Sequence, residues 1–117
     1  MHVVVIGAGE VGTSIAASLA SDHEVVVVDV DPDRAEQLKY EFDVLTIAGD
    51  GTTTEIQTAA DVDRADMVIA CTDNDQTNLV ACGAAKTLGD GFTIARVKST
   101  EYLRTWEGDE GAFGVDF

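Results

Sequence analysis

The residues from His2 to Asp29, HVVVIGAGEVGTSIAASLASDHEVVVVD, constrain the fold more than any other part of this chain. An apolar run, Val3 to Ile6, enters the segment Gly7-Ala8-Gly9-Glu10-Val11-Gly12. Small residues in a helical pattern follow, then a second apolar run, Val25 to Val28, which ends on Asp29. Strand, glycine loop, helix, strand and terminal acid stand in the order that a dinucleotide-binding unit requires.

Each position in that order has a physical role. Gly7 allows a sharp exit from the first strand. Gly9 lacks a Cβ, so a pyrophosphate can approach the backbone, and Gly12 allows close packing of helix on sheet. Helix N–H groups without intrahelical partners begin near Glu10 and Val11, and the helix dipole favours an anion there. Asp29 falls at the carboxyl end of the second strand, within reach of a ribose diol, and would repel a 2′-phosphate. A Rossmann-like domain that keeps its glycines for packing alone is the plainer alternative.

The remaining pattern alternates strand and helix, which predicts an α/β fold: a Rossmann-like doubly wound parallel sheet with helices on both faces. The expected strands are His2–Ile6, Glu24–Val30, Val44–Ala48, Met67–Cys71 and Phe92–Val97. The expected helices are Glu10–Ser21, Pro32–Glu41, a short one opened by a Thr52/Glu55 capping box, Asp75–Leu88, and Ser99–Trp106. Residues 107–111 read as a polar linker, and Ala112–Phe117 as a sixth strand. The 117 residues fit one nucleotide-binding domain, and the apolar end suggests a fragment of a longer chain.

Composition excludes several classes. The net charge is −15, with only seven basic residues spread among 22 acids, so a nucleic-acid backbone would be repelled. An acidic shell around an ordinary apolar core fits a high-salt cytoplasm, where screening removes self-repulsion. The sequence has no apolar run of membrane-spanning length, and no signal peptide is visible, so a cytoplasmic location without direct membrane insertion is expected. Cys71 and Cys82 have no metal-ligand spacing and read as buried thiols. His2 and His23 are isolated, at strand starts. No catalytic constellation can be assembled, and little chain remains to build a substrate domain.

Ligands of an open parallel sheet sit at the carboxyl ends of its strands. Candidate contacts there are Asp29, Val30, Asp31, Asp50, Thr72 and Asp73, beside the glycine loop. Asp31 serves equally well as the N-cap of its helix, Asp50 as a turn residue, and Thr72 and Asp73 as caps of the helix that follows. Arg96 is unusual in so acidic a chain; it either meets a phosphate or makes an ion pair.

The series VIGAGEVG, VVDVD, IAGDGT, ADMVIACTDNDQTNLVAC and IARVKSTEYL closely resembles the TrkA N-terminal domain, also called the RCK domain. The resemblance runs from Met1 to Trp106. Its second half, GDGT, then TDND and an Asn, then ARV and EY, separates this family from ordinary dehydrogenases. The resemblance implies a non-enzymatic cytosolic module that binds a nucleotide and modulates a membrane-embedded potassium transporter or channel. It also implies homodimers that build a ring at the inner face of the membrane. Carried over by motif, Gly7, Gly9 and Gly12 would hold phosphates and Asp29 the adenine ribose. Asp50 would lie by the adenine, Thr72 and Asp73 by the distal ribose, and Arg96 near the phosphates or the subunit contact. Some relatives carry arginine after GxG to meet the terminal phosphate of ATP. Here that position is Glu10, which favours NAD(H) over ATP or ADP. The alternative from another class is the cofactor domain of an NAD-dependent oxidoreductase, separated from its catalytic half.

Overall fold

The computed structural model describes residues 1–109 and 111–117. Five parallel strands form one sheet: β1 (His2–Ile6), β2 (Glu24–Asp29), β3 (Leu45–Ala48), β4 (Met67–Ala70) and β5 (Phe92–Ala95). Their spatial order is β3-β2-β1-β4-β5. The chain winds from β1 outward to β3, then crosses back to β4 beside β1, so the direction reverses between β1 and β4. A crevice opens outside the carboxyl ends of the strands at such a reversal.

The sheet is buried on both faces, which explains why its central strands are continuous valine runs rather than alternating patterns. Val3, Val5, Val25 and Val27 point to one face, where α1 (Glu10–Leu19) contributes Ala16 and α2 (Pro32–Glu41) contributes Leu38. Val4, Ile6, Val26, Val28 and Val68 point to the other. That face is covered by α3 (Thr54–Ala59), α4 (Asp75–Leu88) and α5 (Thr100–Gly108), with Ala81, Cys82 and Ala85 of α4 at its centre.

Several boundaries differ from the sequence expectation. β2 ends at Asp29, β4 at Ala70 and β5 at Ala95; β3 begins at Leu45, and α1 stops at Leu19. The short helix is capped by Thr53, whose hydroxyl accepts from the Ile56 N–H; Thr52 instead donates to Asp50. The capping box at Thr52 and Glu55 is therefore not made. A 3₁₀ turn at Val62–Arg64 had no sequence signal strong enough to predict it. α5 runs on through Glu107 and Gly108, into the expected linker.

The predicted sixth strand is also corrected. Ala112–Gly114 is a 3₁₀ turn, with Phe113 at φ 61° and Gly114 at φ 69°. Two left-handed residues cannot continue an extended strand. Beyond them the tail lies along β5: Phe117 N–H donates to Thr93 O, and Ala95 N–H to Phe117 O. The Asp116 carboxylate accepts from the Thr93 N–H and from Lys86 Nζ, at 2.9 and 2.6 Å, so Lys86 and then the Thr93 amide hold it below the usual carboxylate range.

Candidate functional site

The reversal between β1 and β4 opens into a cleft of about 550 Å³, within the range of small-molecule sites. Ten of the twelve predicted site residues line it: Gly7, Gly9, Glu10, Val11, Asp29, Val30, Asp50, Thr72, Asp73 and Arg96. Gly12 and Asp31 are not among the lining residues.

The glycine loop is rigidly placed. Gly7 adopts φ 110° and donates its N–H to Val28 O at 2.8 Å, while the Ala8 N–H donates to Asp29 Oδ2 at 2.7 Å. The three glycines then do different things. A Cβ on Gly12 would lie 1.7 Å from Gly7 O, so Gly12 serves the contact between α1 and the loop. A Cβ on Gly9 would meet no protein atom within 4 Å, and the backbone of Gly9 (φ −74°, ψ −164°) is open to any residue. Nothing in the fold asks for glycine there; the space lies in the cleft.

α1 also begins differently from its neighbours. Asp31, Thr53, Asn74 and Ser99 each cap a helix through a side chain. Gly9, at the N-cap of α1, has no side chain to do so. The first-turn N–H groups of α1 are left open toward the cleft, where the dipole favours negative charge. Glu10 stands exposed in that same turn.

Asp29 is buried at 7% exposure. Its Oδ2 accepts from Ala8 N–H and its Oδ1 from Asp31 N–H at 2.8 Å. The carboxylate thus ties the glycine loop to the end of β2, a structural task that sequence reasoning did not assign. Each oxygen retains a second lone pair for a ligand hydroxyl. Asp31 is the N-cap of α2, accepting from Asp33 N–H at 2.9 Å, as its alternative role required. Asp50 Oδ1 accepts from the side chain and backbone of Thr52, and these bonds hold its carboxyl below the ordinary carboxylate range. Its Oδ2 remains free of such bonds among the described residues.

The far end of the cleft is organised by Asn78, which sequence reasoning missed. Fully buried, it accepts from Thr72 N–H and Oγ1 at 2.9 and 2.7 Å, and donates to Thr72 O and Arg96 O at 3.1 and 2.8 Å. One side chain thereby fixes the loops after β4 and β5 against each other. The signal was an asparagine on the apolar face of a helix. Arg96 reaches Asp73 Oδ1 at 3.5 Å, the domain's own ion pair, while still lining the cleft. Arg34 was missed as well; it lines the cleft near Asp29. Cys71, beneath the glycine loop, and Cys82 in α4 are buried free thiols. Burial raises them to about 11 and about 12, respectively.

Five parallel strands reversing at a glycine loop, with an acid closing the second strand, define a Rossmann-like nucleotide-binding fold. The sequence matches the TrkA-N domain over residues 3–113, and the chain belongs to that family. It is 41% identical over 103 residues to a Trk system potassium uptake protein TrkA homolog of Archaeoglobus fulgidus, covering 88% of this chain and 23% of that protein. It is also 41% identical over 105 residues to the Trk system potassium uptake protein TrkA of Halomonas elongata, with the same coverage. The chain therefore spans about a quarter of the length of these relatives. Among solved structures, the GsuK channel bound to NAD shares the fold, with TM-score 0.83 at 22% identity, over 98% of this chain and 20% of that one. GsuK bound to ADP superposes with TM-score 0.76 at 26% identity, over 89% and 28%.

Proposed function

We propose that this domain is an NAD(H)-binding regulatory module of a potassium transporter or channel, acting without catalysing a reaction. The observation that carries the nucleotide reading is the start of α1. Its N–H groups lack a side-chain cap, and Gly9 leaves open space for a phosphate that the fold itself does not need. A pyrophosphate sits against this turn. Asp29 receives the adenine ribose hydroxyls on its spare lone pairs, and Asp50 lies by the base. Thr72, Asp73 and Arg96 border the second ribose. Family membership and the TrkA relatives support the link to potassium transport; the solved relatives, bound to NAD and to ADP, share the adenosine-diphosphate unit that these contacts address.

Glu10 favours the dinucleotide. Its charge in the first turn of α1 offsets part of the helix attraction for phosphate, by roughly 0.3–1 kcal/mol. ATP brings more charge than a dinucleotide and finds no arginine at that position. The ligand works by its differential affinity for two arrangements of an assembled dimer or ring, held at the membrane through its pore partner. Exposed Val80, Leu103, Phe113 and Phe117 are among the apolar residues available for self-association, whereas Trp106 turns inward and donates to Val115 O at 2.9 Å. The test is competition between NADH and ATP in molar KCl, with Glu10→Arg alongside. NADH should bind more tightly to the natural chain, and the substitution should narrow or reverse the preference. Tighter ATP binding by the natural chain refutes the dinucleotide assignment.

A further inference from the structure

The adenosine end of the cleft holds two chemistries that dinucleotide sites ordinarily keep apart. An acid closing the second strand selects a free ribose 2′-hydroxyl, and a nearby arginine accepts a 2′-phosphate. Here both are present. Arg34, in the first turn of α2, places Nη1 3.9 Å from Asp29 Oδ2 and Nε 4.0 Å from Asp31 Oδ2. Its side chain is 56% exposed and lines the cleft. The two carboxylates are otherwise committed: Asp29 to the N–H groups of Ala8 and Asp31, and Asp31 to the N–H of Asp33. Arg34 is not. At these distances it makes no hydrogen bond among the described residues, so its planar donor fork is unspent beside the position that Asp29 assigns to the ribose.

Resting on the dinucleotide reading, we propose that Arg34 is the specificity-determining residue for the ribose 2′ position. It neutralises one of the two acids that would repel a 2′-phosphate and turns its free donors onto that phosphate. The site consequently prefers NADH but tolerates NADPH, less selective than Asp29 alone would make it. Arg34 stays on a helix already capped by Asp31, so removing it leaves the loop and the Asp29 contacts in place.

The experiment measures NADH and NADPH dissociation constants by calorimetry at one fixed molar KCl concentration, for the natural chain, Arg34→Ala and Arg34→Lys. The natural chain should bind NADPH within about tenfold of NADH, and Arg34→Ala should widen that ratio by a further tenfold or so, the scale of a charge-assisted hydrogen bond. NADH affinity should move less than about twofold, and Arg34→Lys, which keeps the charge without the fork, should fall between. Equal losses for both cofactors would assign Arg34 to the base or to the fold and overturn the inference. So would an unchanged ratio, or NADPH binding too weak to measure in the natural chain. Failure of the natural chain to bind either cofactor overturns this inference together with the dinucleotide reading; binding of NADH with an unmoved ratio overturns this inference alone.

Discussion

Gly9 and Gly12 stand three residues apart in one motif, yet the structure gives them opposite reasons to be glycine, and substitution separates them. A methyl group on Gly12 would lie 1.7 Å from Gly7 O and 2.8 Å from Gly7 C, with Cys71 Sγ at 3.2 Å. The obstacle is backbone, pinned by the bond from Gly7 N–H to Val28 O. α1 must therefore retreat by more than an ångström along much of its contact with β1 and β2. Overpacking of this kind costs about 3 kcal/mol, the upper end of its range, and helix propensity returns about 1 kcal/mol. The net loss of about 2 kcal/mol lowers Tm by roughly 10 °C for a domain of this size. Gly9 behaves otherwise. Its Cβ would enter empty cleft, and serine is the better N-cap by a few tenths of a kcal/mol. Gly9→Ser should hold or slightly raise Tm while weakening NADH by about tenfold or more, ~1.4 kcal/mol, because the side chain occupies the phosphate position. Thermal melts in molar KCl and calorimetric titration with NADH read the two effects separately. If Gly9→Ser binds NADH as the natural chain does, no phosphate sits at α1. If Gly12→Ala melts unchanged, the packing argument is wrong.

Salt should govern stability: with −15 net charge, the melting temperature should rise clearly between roughly 0.1 M and 2 M KCl as repulsion is screened, and a flat profile would refute the high-salt reading. Cys71 and Cys82, held near 11 and 12 by burial, should resist a thiol reagent at neutral pH in the folded protein and both react in denaturant, counted by mass. Asp116 titrates lower in the folded chain than when unfolded, so its pairing with Lys86 and Thr93 contributes stability above the unfolded carboxylate pKa near 3.9 and loses it as pH falls through the folded value. Asp116→Asn should therefore flatten the acid limb of a stability profile measured by chemical denaturation; an unaltered limb would exclude this contribution.

The order strand, glycine loop, helix, strand, acid was legible in the chain because each member has a local cause. Valine runs buried on both faces make parallel strands, Pro32 after Asp31 starts a helix, and an acid after the second run reaches the crevice. Ten cleft residues followed from that order and from the family resemblance. Other features needed three dimensions. The spacing of Gly12 could not reveal that Gly7 O occupies its Cβ position, nor could Asp29 reveal that Ala8 and Asp31 already use its oxygens. Asn78 looked like one polar residue in an apolar helix face until the loops after β4 and β5 were brought against it. Arg34 lies one helical turn beyond Asp31, but its reach to Asp29 depends on how α2 leaves the sheet. The tail at Ala112–Phe117 carried a strand's composition and was turned by left-handed Phe113 and Gly114, with Asp116 drawn to Lys86 and Thr93. Local pattern decided the elements and their order; contacts between residues far apart in the chain decided which side chains face the cleft and which are spent holding it together.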